Sequence, residues 1–151
     1  MKSKTIALLV LAVGVAAVQF VPIDRDNPPV TADLQAPDEI KAMLTRSCYD
    51  CHSNETVWPW YSYVAPVSFQ LNTHIKTGRE HLNFSNWGEY DKDEQEELAA
   101  ALINEVSEGT MPKFPYALAH PAAKLNEEQK TQLTDWFTVT FALSNEESEV
   151  N

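Results

Sequence analysis

Residues 5–18 are almost uninterruptedly apolar, whereas beyond residue 36 the apolar positions return at three- and four-residue intervals. That spacing is the mark of amphipathic helices with one buried face. Ile40, Met43, Leu44 and Ser47 fall at i, i+3, i+4 and i+7 and predict a first helix over 37–47. Pro37 suits its first turn, and Asp38 and Glu39 complement its positive end. A second helix is predicted over 66–77, with Val67, Leu71, His74 and Ile75 as its inner stripe and Gly78 closing it. A third begins around Asp91, where Glu94 completes a capping box. It buries Leu98, Leu102 and Val106 and ends at Gly109. The last has Asn126 as N-cap and Gln129 three residues on, with Leu133, Trp136, Phe137, Thr140 and Phe141 on one side. Segments 57–63, 83–88 and 110–116 are broken by proline or loop-forming residues and read as ordered loops. There is no internal repeat, alternating strand or Asn-Gly hairpin. The expectation is an all-α fold of about four helices.

The N-terminal run follows Lys2 and Lys4, as an export signal would. Residues 5–21 sit at the short limit for spanning a bilayer, and Ala16-Ala17-Val18-Gln19 gives no clean cleavage pattern. The reading is a signal peptide or, preferred, a retained membrane anchor over 1–21. In either case the remainder lies outside the cytoplasm. A Pro28-Pro29 linker comes next over 22–36, then a domain over 37–143 and an acidic, frayed tail over 144–151.

One domain is the natural expectation for 151 residues, and 44% hydrophobic content with four Trp, five Tyr and six Phe supports a packed core. The formal charge is −11, and losing Lys2 and Lys4 with a cleaved signal would make it −13. Such acidity argues against nucleic acid and suits a basic redox partner, although solubility alone also accounts for it.

Both cysteines fall in one pentapeptide, Cys48-Tyr49-Asp50-Cys51-His52. This C-x-x-C-H spacing is that of covalent c-type haem attachment. The two thiols would form thioethers to the porphyrin, and His52 would bind iron from the proximal side. Competing readings are weaker. A thioredoxin-like pair calls for a βαβ context, and structural zinc needs a second ligand pair that His74, His81 and His120, scattered singly, do not provide. A disulfide across two residues closes too small a loop to be a useful staple.

The second axial ligand is less determined. Met111, 59 residues after His52 in a loop stiffened by Pro112 and Pro115, is the leading candidate. Met1 is the initiator and Met43 lies on an apolar stripe. His74 is the alternative distal ligand. His81 and His120 read as hydrogen-bonding or surface residues, and an open sixth position is the remaining possibility. The free ring nitrogen of His52 needs an acceptor, for which the carbonyls of Pro59 and Pro66 are candidates. Trp58, Trp60, Tyr61, Tyr63 and Arg79 are placed to meet a haem edge or propionates, or simply to pack.

Cys48 to Thr56 followed by Trp58-Pro59-Trp60-Tyr61-Ser62 resembles the bacterial haem-binding domain family of short cytochrome c-like proteins. Ala65-Pro66-Val67-Ser68, the run from Gly78 to Ser85, Met111-Pro112, the run from His120 to Leu125 and the preceding Asn27-Pro28-Pro29 resemble its pattern as well. The resemblance covers about residues 27–140 and implies one haem c held by Cys48, Cys51 and His52, with the Met-Pro segment less firmly marked. With it the expectation is a cytochrome c-like bundle behind a signal-anchor helix, carrying single electrons on the periplasmic side of the membrane. A haem-based sensor or a peroxidase-like enzyme with a displaceable sixth ligand is the alternative. No paired carboxylates or Ser/His/Asp set points to hydrolysis, and redox partner and oligomeric state are left open.

Overall fold

The computed structural model describes residues 2–142, and among these there is no strand. The helices are α1 (Lys2–Val18), α2 (Asp38–Ser47), α3 (Tyr49–His52), α4 (Val67–His81), α5 (Lys92–Ser107), α6 (Phe114–Ala119) and α7 (Glu127–Phe137). Short 3₁₀ turns cover Trp60–Tyr63, Phe84–Glu89 and Pro121–Ala123, and a π turn Thr138–Ala142 succeeds α7. The four helices read from spacing are α2, α4, α5 and α7. The stretches read as loops hold the turns Trp60–Tyr63 and Phe84–Glu89 and the start of α6, each too short to show a period. The tail expected at 144–151, with residue 143, lies outside the described residues.

The core joins α2, α5 and α7 to the turn Phe84–Glu89. Leu44, Phe84, Ala99, Leu133 and Phe137 are fully buried in it, together with Met43 and Tyr49. Both sequence-read capping boxes form: Asp91 accepts from the Glu94 N–H at 2.9 Å, and Asn126 from the Gln129 N–H at 2.8 Å. Asn126→Ala leaves helix donors unpaired, and should cost about 1 kcal/mol in a thermal melt. A melt indistinguishable from wild type would show that water replaces the cap.

The second helix departs from its expected end and face. It continues past Gly78 to His81. Gly78 is buried where α4 crosses α3, and a Cβ there would stand 2.5 Å from the Cys51 carbonyl oxygen. The glycine is a close-approach residue rather than a helix stop. That crossing turns Ser68, Ile75 and Gly78 inward, and leaves Val67 and His74 exposed. His74 therefore does not belong to an inner stripe.

Helix α1 forms, but it stops at Val18, three residues before the end of the span expected over 5–21. Its 17 residues measure about 25 Å, against about 30 Å of hydrocarbon. Among the described residues no helix is long and apolar enough to cross a membrane. After Val18 the bonding tightens to i→i−3, with Gln19, Phe20 and Val21 donating to the carbonyls of Ala16, Ala17 and Val18. Pro22, lacking an N–H, ends the run.

The Pro28-Pro29 segment carries no regular element, and it is strapped down. Thr31 and Ala32 N–H donate to the Ser85 carbonyl, Leu34 N–H to the Phe84 carbonyl (2.9 Å), and Gly88 N–H to the Ala32 carbonyl (2.9 Å). Leu34 is 2% exposed in the core. Asp33 accepts from Lys41 Nζ and, at 2.9 Å, from the Tyr49 hydroxyl.

Candidate haem site

Helix α2 delivers its last carbonyls into the motif: Cys48 N–H donates to the Leu44 carbonyl at 2.8 Å. At Cys48 the backbone opens to φ −128°, and α3 begins as a new turn whose Cys51 and His52 N–H groups both return to the Cys48 carbonyl. Cys48, Cys51 and His52 therefore stand at i, i+3 and i+4 on one side of a turn, the spacing at which helical side chains are neighbours. Neither cysteine is in a disulfide.

Neither thiol has the lowered pKa of a reactive pair. Burial, with the neighbouring Cys51, pushes Cys48 up to about 12, and burial with Asp50 pushes Cys51 up to about 11. A reactive C-x-x-C depends on a lowered thiol pKa. The direction here is the opposite, so both stay protonated at neutral pH. His52 is shifted downward, chiefly by burial, with its hydrogen bonds to backbone opposing. It is a neutral imidazole near pH 7.

The His52 ring is fixed by α4. Its Nδ1 lies 3.0 Å from the Gly78 carbonyl and 3.1 Å from the Leu82 carbonyl. Two acceptors require Nδ1 to carry the proton, which leaves Nε2 with a free lone pair. The acceptors expected at Pro59 and Pro66 are thus replaced by the end of α4. The close Gly78 crossing is what brings that carbonyl within reach. A glycine in mid-helix was the available signal.

The residues after His52 hold the motif to the strap and to α4. Ser53 Oγ donates to the Tyr49 carbonyl at 2.7 Å. Asn54 donates from its backbone to Ser85 Oγ (2.9 Å) and from its amide to the Pro29 carbonyl (2.7 Å), and accepts from Asn83 Nδ2 (2.8 Å). Arg79 Nε donates to the Ser53 carbonyl, and Nη2 to Asn27 Oδ1 and Thr56 Oγ1, each at 2.8 Å. Arg79 is thereby spent on structure. The surface pocket of about 320 Å³ near it is lined by Asp24, Trp58, Asn72, Ile75 and Lys76, and includes neither cysteine nor His52.

The Met111 side of the chain is drawn to the motif through Asp50. Tyr116 on α6 donates to Asp50 Oδ2 at 2.7 Å, while Asp50 Oδ1 accepts from the Val57 N–H at 2.9 Å. Lys113 is close enough for its charge to act on both Cys51 and His52. Met111 itself is half-buried, its N–H on the Glu105 carbonyl. His120 shares a 2.8 Å hydrogen bond with the Tyr61 hydroxyl and stacks on Tyr116, while His81 and His74 are exposed on α4. Trp58 is half-buried, and Trp60 and Tyr63 are exposed.

These donors suit a porphyrin. Two thiols and one neutral imidazole share a side of one turn, and α6, tied to Asp50, leaves Phe114 and Leu118 74% and 62% exposed. An apolar surface on a helix bonded to the turn that carries a neutral imidazole is compatible with a haem ring. No curated protein and no solved structure matches the chain at a significant level. A family profile described as a haem-binding domain matches residues 13–139, the greater part of the chain. The chain belongs to the haem-binding domain family.

Proposed function

We propose that this protein is an exported c-type monohaem cytochrome that carries single electrons at the periplasmic face of the membrane. Cys48 and Cys51 hold the haem as thioethers, His52 Nε2 is the proximal ligand and Met111 the distal one. The haem supplies a reversible one-electron couple at iron. The chain's own residues orient and enclose it. The His52 ring, pinned at Nδ1 by two carbonyls, is the observation that carries this reading, because it fixes an imidazole for metal binding beside two protonated thiols. Apolar α1 behind Lys2 and Lys4 supports export and retention at the membrane. The charge of −11 supports a basic partner.

The test is spectroscopic. In wild type, haem should resist acid–organic extraction, and the double change Cys48→Ala with Cys51→Ala should release it. Haem still covalently bound in the double variant would end the reading. Spectra low-spin in both redox states, without a carbon monoxide adduct, support a carrier. A ready adduct moves the assignment to the sensor or peroxidase class, where the sixth ligand is displaceable. Met111→Ala should turn the iron high-spin, and a spectrum that stays low-spin would remove Met111 as the distal ligand.

A further inference from the structure

Helix α1 and the rest of the chain meet at one corner. Gln19 grips Ala65 with both ends of its amide. Its Nε2 donates to the Ala65 carbonyl at 3.2 Å, and its Oε1 accepts the Ala65 N–H at 2.9 Å. The same Nε2 reaches back to the Val15 carbonyl inside α1 at 3.1 Å. Arg25 Nε donates to the Ser62 carbonyl at 3.0 Å, and its guanidinium lies 4.3 Å from the Tyr63 ring centroid. Asn72 of α4 donates to the Asp24 carbonyl. The chain leaving α1 is thus stitched to the turn Trp60–Tyr63 and to α4, and does not swing as a tether.

Large apolar side chains face outward at this corner. Phe20 is 86% exposed, Trp60 79%, Tyr63 63%, Val21 50%, Val67 45% and Val64 44%. Along α1 the side chains of Ile6, Leu8, Leu9, Val10, Leu11, Val13 and Val15 are each between 56% and 67% exposed, so none of the described residues covers that stretch of the helix. A helix apolar all round is normally enclosed by a large core or by lipid.

We infer that the corner formed by Phe20, Trp60, Tyr63, Val64 and Val67 seats in the interfacial layer of a lipid bilayer, continuing the apolar surface of α1. The inference rests on α1 being inserted, and adds a second membrane-facing element and a fixed orientation of the haem domain. The length of α1 supplies the reason. A helix about 5 Å short of the hydrocarbon thickness draws the headgroup layer toward the residues beyond its end. Gln19 places the corner directly at that end. Trp and Tyr are the side chains that collect at that depth. Asp24 and Asp26 flank Arg25, so the attraction is apolar and should be insensitive to salt.

The test uses the full haem-loaded chain in phosphatidylcholine vesicles. With Cys48 and Cys51 held in thioethers, Val64→Cys takes a single nitroxide, and Glu97→Cys on α5 serves as the remote site. Power saturation of the air-stable ferric protein, each value referenced to nitrogen, compares accessibility to oxygen, which partitions into lipid, with that to a nickel chelate, which does not. The ratio at 64 should be several-fold higher than at 97 and unchanged at high salt. Equal, chelate-favoured ratios in chain that floats with the vesicles would overturn the seat while leaving the anchor standing. A chain that does not float would overturn both. Oxygen and chelate both excluded at 64 would place the residue under protein or haem, and would also overturn the seat.

Discussion

Truncating Phe84 to alanine is expected to lower the unfolding free energy by about 3–5 kcal/mol, the range for removing a fully buried aromatic side chain. Phe84 has no solvent exposure. Its ring stacks on Tyr49 at 5.3 Å and 7°, and on Trp87 at 6.1 Å and 25°. Its carbonyl takes the Leu34 N–H. Tyr49 lies between the two cysteines, so this ring is where the C-x-x-C-H turn rests on the core. Domains of this kind are stable by about 5–15 kcal/mol, so the variant loses a large fraction of the total. Urea unfolding of the haem-loaded protein, followed by tryptophan and by far-ultraviolet circular dichroism, gives the number. A loss below about 1 kcal/mol would show that the neighbouring rings close the cavity, which is contrary to a rigid stack.

Gly78→Ala is the second large effect, and it acts on two properties at once. In an exposed helix the change would stabilise by about 1 kcal/mol. Here the new methyl stands 2.5 Å from the Cys51 carbonyl oxygen and 3.2 Å from its carbon, both main-chain atoms that cannot rotate aside. Overpacking of this kind costs about 1–3 kcal/mol, so the net sign is destabilising. Moving α4 off α3 also weakens the bond from His52 Nδ1 to the Gly78 carbonyl. That bond raises the basicity of the ring, so its weakening should make the iron a poorer electron donor and the midpoint potential more positive. Leu82 remains as a second acceptor, so the imidazole keeps its tautomer. Unchanged stability together with an unchanged potential would show that the contact relaxes elsewhere.

Helix positions and caps were legible because they depend on neighbours in the chain. Asp91 with Glu94, and Asn126 with Gln129, need only three-residue spacing to be recognised, and both boxes form. The pentapeptide was legible for the same reason. What escaped depends on contacts between distant segments. Gly78 reads as a helix stop unless Cys51 is known to press on it. His74 reads as inward by period, yet the rotation imposed by that contact leaves it outside. The acceptors of His52 lie 26 and 30 residues away, and Tyr116 reaches Asp50 across 66. Short elements such as α6 have too few residues to show a period at all.

The strap from Asn27 to Leu34 changes where this protein can be cut. Read by composition, residues 22–36 are a tether, and a soluble version would begin at about residue 37. Such a version would lack Leu34 from the core and Asp33 from Lys41 and Tyr49. It would also lack the partners that Asn54 and Arg79 find in Pro29 and Asn27. A protease that severs the chain just before Asn27 leaves the strap with the haem-binding domain, whereas one that severs it ten residues later leaves a fragment without part of its own interior. Loss of α1 and loss of part of the core are thus separated by about ten residues of sequence.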